Sequence, residues 1–378
     1  MGEAREMTLR RPGPWACALA ALFAAGGCGS DPAAPEGEAP WVQVAAGGAH
    51  TCALDGAGRV ACWGSNGSGQ LGFGGERLSS SPRYLPVEGP WKAVTAGLRH
   101  TCALAEDGSV WCWGANDAGQ LGDGGPRWGG PAQRSAPAPV PMLGRYVAVT
   151  AGEVHACALA SGGEVVCWGS SEEGQSEGGG LRVPAVLPTL VPGGPWKAVT
   201  AGAFHTCALA RDGTAACWGA NGASQIGAGV AFADRMAVSP VGGGRRFLSL
   251  AAGVATACGV DESRRVLCWG DNTAGQVAAT GARHGSPVLR WVGPAAAVGA
   301  GEAWVCAVAL GGEVTCWGAR WDRSGAFTPE VEPAGWEAPV SAPAQLSVGA
   351  RHACAVTADG GVVCWGDASG GRLGPFAP

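Results

Sequence analysis

The sequence predicts an all-β protein assembled from seven repeats of about 50 residues. Three observations carry this. A unit seen as WKAVTAGLRHTCALAEDGSVWCWGANDAGQLGDG from Trp91 returns around Trp41, Tyr146, Trp196, Phe247, Ala295 and Pro343. Every copy holds two cysteines separated by ten residues. The chain has 67 glycines and 26 prolines, and the glycines recur in register with these copies, so they read as turns between short strands and not as low complexity.

The chain starts with an address. Arg10 and Arg11 precede an apolar stretch, Trp15 to Ala25, then Gly26, Gly27 and Cys28, the layout of a secretory signal over residues 1–27. Met7 is an alternative start, since Glu3 and Glu6 suit the positive end of a signal poorly. Cys28 resembles the lipidated cysteine of bacterial lipoproteins, although Ala25 stands where that motif prefers Leu, and simple cleavage without lipid is the alternative. Residues 28–40 then form the lipidated cysteine and a flexible Pro- and Glu-containing tether, up to about 40 Å when extended, ahead of the repeats at 41–378. No apolar run of 18 or more follows the first thirty residues, so the membrane is reached only through the lipid. A net charge of −5 without a basic stripe argues against nucleic acid as a partner.

Within a repeat the strands are read near 42–46, 50–54 and 60–64, with a fourth at Pro82–Val87. A three-residue loop at 56–58 sets Asp55 opposite Arg59 and Cys52 opposite Cys62. Such a loop needs a left-handed residue at its end, and Gly58, Gly108, Gly163, Gly213, Gly312 and Gly360 supply it, with Arg264 as the exception. The cysteines then face each other as a non-hydrogen-bonded pair, close enough for a disulfide. One cross-strand bridge per repeat is expected: Cys52–Cys62, Cys102–Cys112, Cys157–Cys167, Cys207–Cys217, Cys258–Cys268, Cys306–Cys316 and Cys354–Cys364. Buried thiols and a metal site are the alternatives; zinc would need two cysteine pairs side by side or added histidines.

The succession of an aromatic residue, V-x-A-G, H-T-x-A-L, a turn, V-x-x-W-G-x-N and G-Q-L-G resembles regulator of chromosome condensation repeats over residues 41–374. Gly69-Gln70-Leu71-Gly72 and Gly119-Gln120-Leu121-Gly122 show the last motif intact. The resemblance implies a ring of seven four-stranded blades, a β-propeller. Such rings usually close by completing one blade from both chain ends. Here no clear fourth strand follows the third in repeat seven, so a three-stranded blade is expected there.

His50, His100, His155, His205 and His352 form a column two residues before the first cysteine, with Thr256 and Trp304 in the other two repeats. Spread one per blade, they read as structural groups bonded to backbone. The C-W-G tryptophans, such as Trp63 and Trp218, read as packing between blades. Candidates for partner binding are residues that break the repeat: Arg127, Trp128 and Arg134 in the long connection after repeat two, and Trp304, Trp321 and Trp336 in repeat six. There RWDRSGAFTPE replaces the G-Q-L-G turn.

The leading expectation is a monomeric extracytoplasmic module that binds a protein or cell-envelope ligand, without cofactor. By resemblance, such propellers act in protein recognition. Guanine-nucleotide exchange, the activity of the family's namesake, conflicts with export and oxidised cysteines. An envelope enzyme is the remaining alternative, but G-x-S-x-G, H-E-x-x-H and phosphate-loop motifs are absent, and Glu172 and Glu173 are simply adjacent on a turn.

Overall fold

The computed structural model describes residues 39–378 except 88, 127–128, 143, 179–184, 230–233, 292 and 331–334. Repeats one to six each begin with a six-residue strand, such as Trp41–Ala46, that ends in Ala before a Gly; the corresponding strand of repeat seven is four residues, Gln345–Val348, followed by Gly349. These seven innermost strands stand side by side around one axis, and smallness is imposed there. A Cβ added to Gly47, Gly97, Gly152, Gly202, Gly253, Gly301 or Gly349 would come within 2.5 Å of the carbonyl oxygen of the next glycine in that series, and Gly349 meets Gly47. The ring therefore closes, around a narrow channel of about 260 Å³.

Outward from the axis, blade one continues through His50–Asp55, Val60–Ser65 and Leu78–Tyr84, every neighbour antiparallel. The second strand is buried throughout and the third nearly so, because both are sandwiched between blades; the fourth is largely exposed. The expected fourth strand at Pro82–Val87 lies earlier, since Arg83 and Tyr84 already pair with Cys62 and Ala61, while Leu85 turns inward and is buried. The core is thus a series of interblade layers. One holds Leu54, Val60 and Leu71 of blade one against Trp91, Val94 and Trp113 of blade two.

The hairpin register is as expected. Cys52 faces Cys62, Asp55 N–H bonds the Arg59 carbonyl at 3.0 Å, and Gly58 sits at φ 76°. All seven cysteine pairs are disulfides, with Cα atoms 4.0–4.1 Å apart. Arg264, the exception, adopts the left-handed conformation regardless, at φ 63°. The loop geometry overrides the side chain's preference.

Blade seven has three strands among the described residues, Gln345–Val348, His352–Val356 and Val362–Gly366. Among the described residues no strand is exchanged to close the ring. Side chains of blade seven do the work: Gln345 Oε1 accepts from Val44 N–H and Ser347 Oγ from Ala46 N–H, each at 2.9 Å. Gly371-Arg372-Leu373-Gly374 then forms the turn that repeats one to five build from G-Q-L-G or a variant of it, with Gly371 and Gly374 at φ 67° and 61°.

Blade six departs in its outer edge. Its third strand lengthens to Glu313–Trp321 and folds back as a hairpin into Phe327–Glu330; Trp336–Ser341 then pairs with the inner part of the same strand. The two short strands together take the place of one fourth strand.

Candidate functional site: the joint between blades six and seven

The regular joint explains why this one is different. In blade one, Asn66 Oδ1 accepts from Leu71 N–H at 3.0 Å and Gln70 Oε1 from Ser68 N–H at 2.8 Å, so the turn is held by its own side chains. That leaves the Gln70 carbonyl free for the next blade. It accepts from Trp113 Nε1–H at 2.9 Å and from the Thr101 hydroxyl at 2.8 Å. Because the Thr101 proton is committed there, its oxygen accepts from His50 Nε2–H at 2.8 Å, which fixes the imidazole tautomer. Gly72 closes the turn against the indole: at φ 79°, an added Cβ would lie 2.8 Å from Trp113 Nε1.

This indole-to-carbonyl bond recurs around the ring. Trp168, Trp218, Trp269 and Trp317 donate to the carbonyls of Gln120, Gln175, Gln225 and Gln276 at 2.8–3.0 Å. Trp63 donates to Arg372 O at 3.0 Å, so the turn of blade seven seals the closing joint in the same way.

Three of the five histidines bond a side chain of the following blade, where bonds to backbone were expected. His50, His155 and His352 meet Thr101, Thr206 and Thr51 at 2.8 Å. His100 and His205 face Ala156 and Ala257 where those threonines would stand, and the ring nitrogens of His205 have no hydrogen-bond partner among the described residues. Burial is the largest cause depressing the whole column. His50 and His155 are lowered to about 3, His100 and His205 to about 4, and His352 well below its usual value, so all five rings are neutral.

At the joint between blades six and seven nearly every part is changed. Trp304 fills the histidine position and Ala353 the threonine position. With a hairpin in place of the G-Q-L-G turn, Trp365 Nε1 receives no carbonyl; it is buried, the residue 8% exposed, and without a partner among the described residues. Other contacts hold the joint. Trp304 donates to Ala350 O at 2.9 Å and stacks on Trp336, planes 4° apart. Arg351 pairs with Glu302 at 2.6 Å while lying 4.7 Å from the centre of the Trp321 ring, and that carboxylate raises the guanidinium pKa. Arg320 lies 5.8 Å over Trp336. Between the hairpin and blade seven is a cleft of about 530 Å³, bordered by Arg320, Trp321, Arg323, Trp365 and Leu373 among others.

Trp304, Trp321 and Trp336 are therefore brought into one neighbourhood, although from different layers. Trp304 is 1% exposed and offers no surface; its role is the joint itself. Trp321 and Trp336 are half-buried at the hairpin, which ends in the exposed Phe327. Arg134 is far away in sequence and bonded locally, to Asp123 at 2.7 Å; that carboxylate also accepts from Asn116 and Gly125. Arg127, Trp128 and Cys28 lie outside the described residues. The open indole of Trp365 was missed from the sequence. Its signal is present: a C-W-G tryptophan whose preceding repeat lacks G-Q-L-G.

The molecule is thus a disulfide-bridged seven-bladed propeller. Residues 26–289 match the RCC1-like domain and residues 344–372 the regulator of chromosome condensation (RCC1) repeat, and the chain belongs to this family. Among solved structures it is similar to human WBSCR16, at 19% identity and TM-score 0.73, with 87% of each chain covered. It is also similar to Prp20p from Saccharomyces cerevisiae, whose binding to Gsp1p and histones is described, at 22% identity and TM-score 0.69 over 82% of this chain and 80% of that one. The CRINKLY WD40 ectodomain of the Arabidopsis thaliana receptor kinase ACR4 matches at 21% identity and TM-score 0.55, over 86% of this chain and 96% of that one. At these identities the likeness speaks for the fold. No curated protein sequence matches the chain.

Proposed function

We propose that this protein is an exported, lipid-anchored binding module whose rigid ring presents its irregular loops to a protein of the cell envelope, acting by docking and not by turnover. The observation that carries this is blade six. Elsewhere the repeated histidine, threonine, tryptophan and glutamine positions serve the joints between blades, whereas here a hairpin bearing Arg320, Trp321 and the 54% exposed Phe327 stands where a joint-forming turn belongs. Aromatic residues with arginine are what binding surfaces favour. Seven disulfides suit an oxidising compartment, and with the signal and Cys28 they support placement outside the cytoplasm. That placement also separates this chain from the partners named for Prp20p.

The test is retention. Immobilised mature protein is exposed to envelope extract beside a control in which the 321–327 hairpin is replaced by the regular turn of blade one. A defined partner held by the native ring and lost from the control is expected. Equal retention by both overturns the reading.

A further inference from the structure

We propose that the cleft between the blade-six hairpin and blade seven receives a tight, glycine-bracketed peptide turn from a partner protein, which donates a backbone carbonyl to Trp365 Nε1–H and seats an aliphatic side chain beside it. This rests on the binding-module reading and names the chemistry of the partner.

The ring itself supplies the template. In six joints the indole N–H of the C-W-G tryptophan meets a turn carbonyl at 2.8–3.0 Å. In most of these joints the next residue of the turn is a buried aliphatic: Leu71, Leu121, Ile226, Val277 and Leu373 are each no more than 2% exposed. The seventh indole, Trp365, is buried as well, though less completely at 8% exposed against 0–2% for the other six, and it lacks the turn. The cleft lies between Trp365 and the hairpin that replaced it. Its volume of about 530 Å³ is in the range of about 300–1,000 Å³ typical of ligand pockets.

A second donor points the same way. Trp321 Nε1, on the hairpin side of the cleft, is also buried and without a hydrogen-bond partner among the described residues. Trp321 and Trp365 both border the cleft and each carries a buried indole N–H without an acceptor, and a peptide turn carries carbonyls on successive residues. A buried donor left unmatched is costly, so an occupant that satisfies both gains what the folded ring alone forgoes. The aliphatic requirement excludes a purely polar ligand.

The probe is a cyclic peptide enclosing Asn-Gly-Ser-Gly-Gln-Leu-Gly, the chain's own residues 66–72, titrated into the full mature protein while the Trp365 indole resonance is followed. A saturable downfield shift is expected. Affinity should fall at least tenfold in Trp365→Phe, which removes an already unpartnered donor together with part of the ring, and again in Trp321→Phe. A peptide with Asp for Leu should not bind. No shift at millimolar peptide, or unchanged affinity in both variants, overturns the proposal. Self-association abolished by Trp365→Phe would make the occupant a second copy and overturn it as well. If envelope capture persists in Trp365→Phe while the peptide fails to bind, the cleft proposal falls and the module stands; if native-ring capture also equals the hairpin control, both fall.

Discussion

The joint between blades one and two and the joint between blades six and seven solve one packing problem in two ways. The first is a relay of small, repeated parts: His50 donates to Thr101, Thr101 and Trp113 donate to the Gln70 carbonyl, and Gly72 lies flat on the indole. The second is built from large aromatics and ions: Trp304 on Trp336, Arg351 between Glu302 and Trp321, and an indole left without an acceptor. The relay pairs the Trp113 indole and the Thr101 hydroxyl, although His50 Nδ1 and the Trp91 indole nitrogen in the same joint have no partner among the described residues. The aromatic joint holds the ring while leaving donors open. A repeat protein can in this way keep six joints for stability and vary one for recognition.

Acid separates the two joints most strongly. An unfolded histidine titrates near 6.5, whereas His50, His100, His155 and His205 are lowered by burial to about 3 to 4, so between these values the unfolded chain binds more protons. Stability is therefore full above about pH 6.5 and is lost as pH falls toward the folded values, on the order of 3 kcal/mol per histidine by pH 4. Several such groups rival the whole stability of an ordinary domain. Calorimetry from pH 7 to 4 should show a steep fall in Tm. Hydrogen exchange at pH 4 should show the histidine-bearing joints opening while the one built on Trp304 stays protected.

Removing the indole N–H tests the bond alone. Trp113→Phe and Trp365→Phe lose similar ring volume, but only the first breaks a hydrogen bond. Urea denaturation should find Trp113→Phe the more destabilised by about 1–2 kcal/mol. Equal losses would mean that the turn carbonyl contributes nothing to the joint.

The smallest effect comes from repairing an incomplete relay. His205 faces Ala257, and the Gln225 carbonyl already accepts from Trp269 at 2.9 Å. Ala257→Thr supplies the hydroxyl that blades one, two and four carry as Thr51, Thr101 and Thr206, and should raise stability by about 1 kcal/mol in the same assay. A decrease would show that this joint has closed too tightly to admit it.

What was legible in the sequence follows from how far each signal reaches. Repeat number, hairpin register and all seven disulfides depend on spacings within one repeat, so Cys52 opposite Cys62 could be placed by counting. The histidine relay joins different repeats: the partner of His50 is Thr101, the residue after the next histidine, and a reading confined to one repeat directs it to backbone instead. Gly371-Arg372-Leu373-Gly374 escaped notice because Arg stands for Gln, although the carbonyl that seals the ring belongs to the backbone and tolerates the exchange. Arg264 shows the converse, a residue contrary to the rule whose backbone obeys it at φ 63°. Blade six was recognisable as irregular, but its split outer edge, and the burial of Trp304 beneath the half-buried Trp336, depend on packing that composition does not encode.

The central claim is that six joints are sealed by an indole-to-carbonyl bond and one is open. Hydrogen exchange of the tryptophan indole N–H groups, followed by nitrogen-resolved NMR and assigned through Trp→Phe variants, measures this directly. The indoles of Trp63, Trp113, Trp168, Trp218, Trp269 and Trp317 should exchange slowly and together, with Trp365 faster by at least tenfold and slowed by the cyclic turn peptide. Protection of Trp365 equal to the other six in the free protein would contradict the claim.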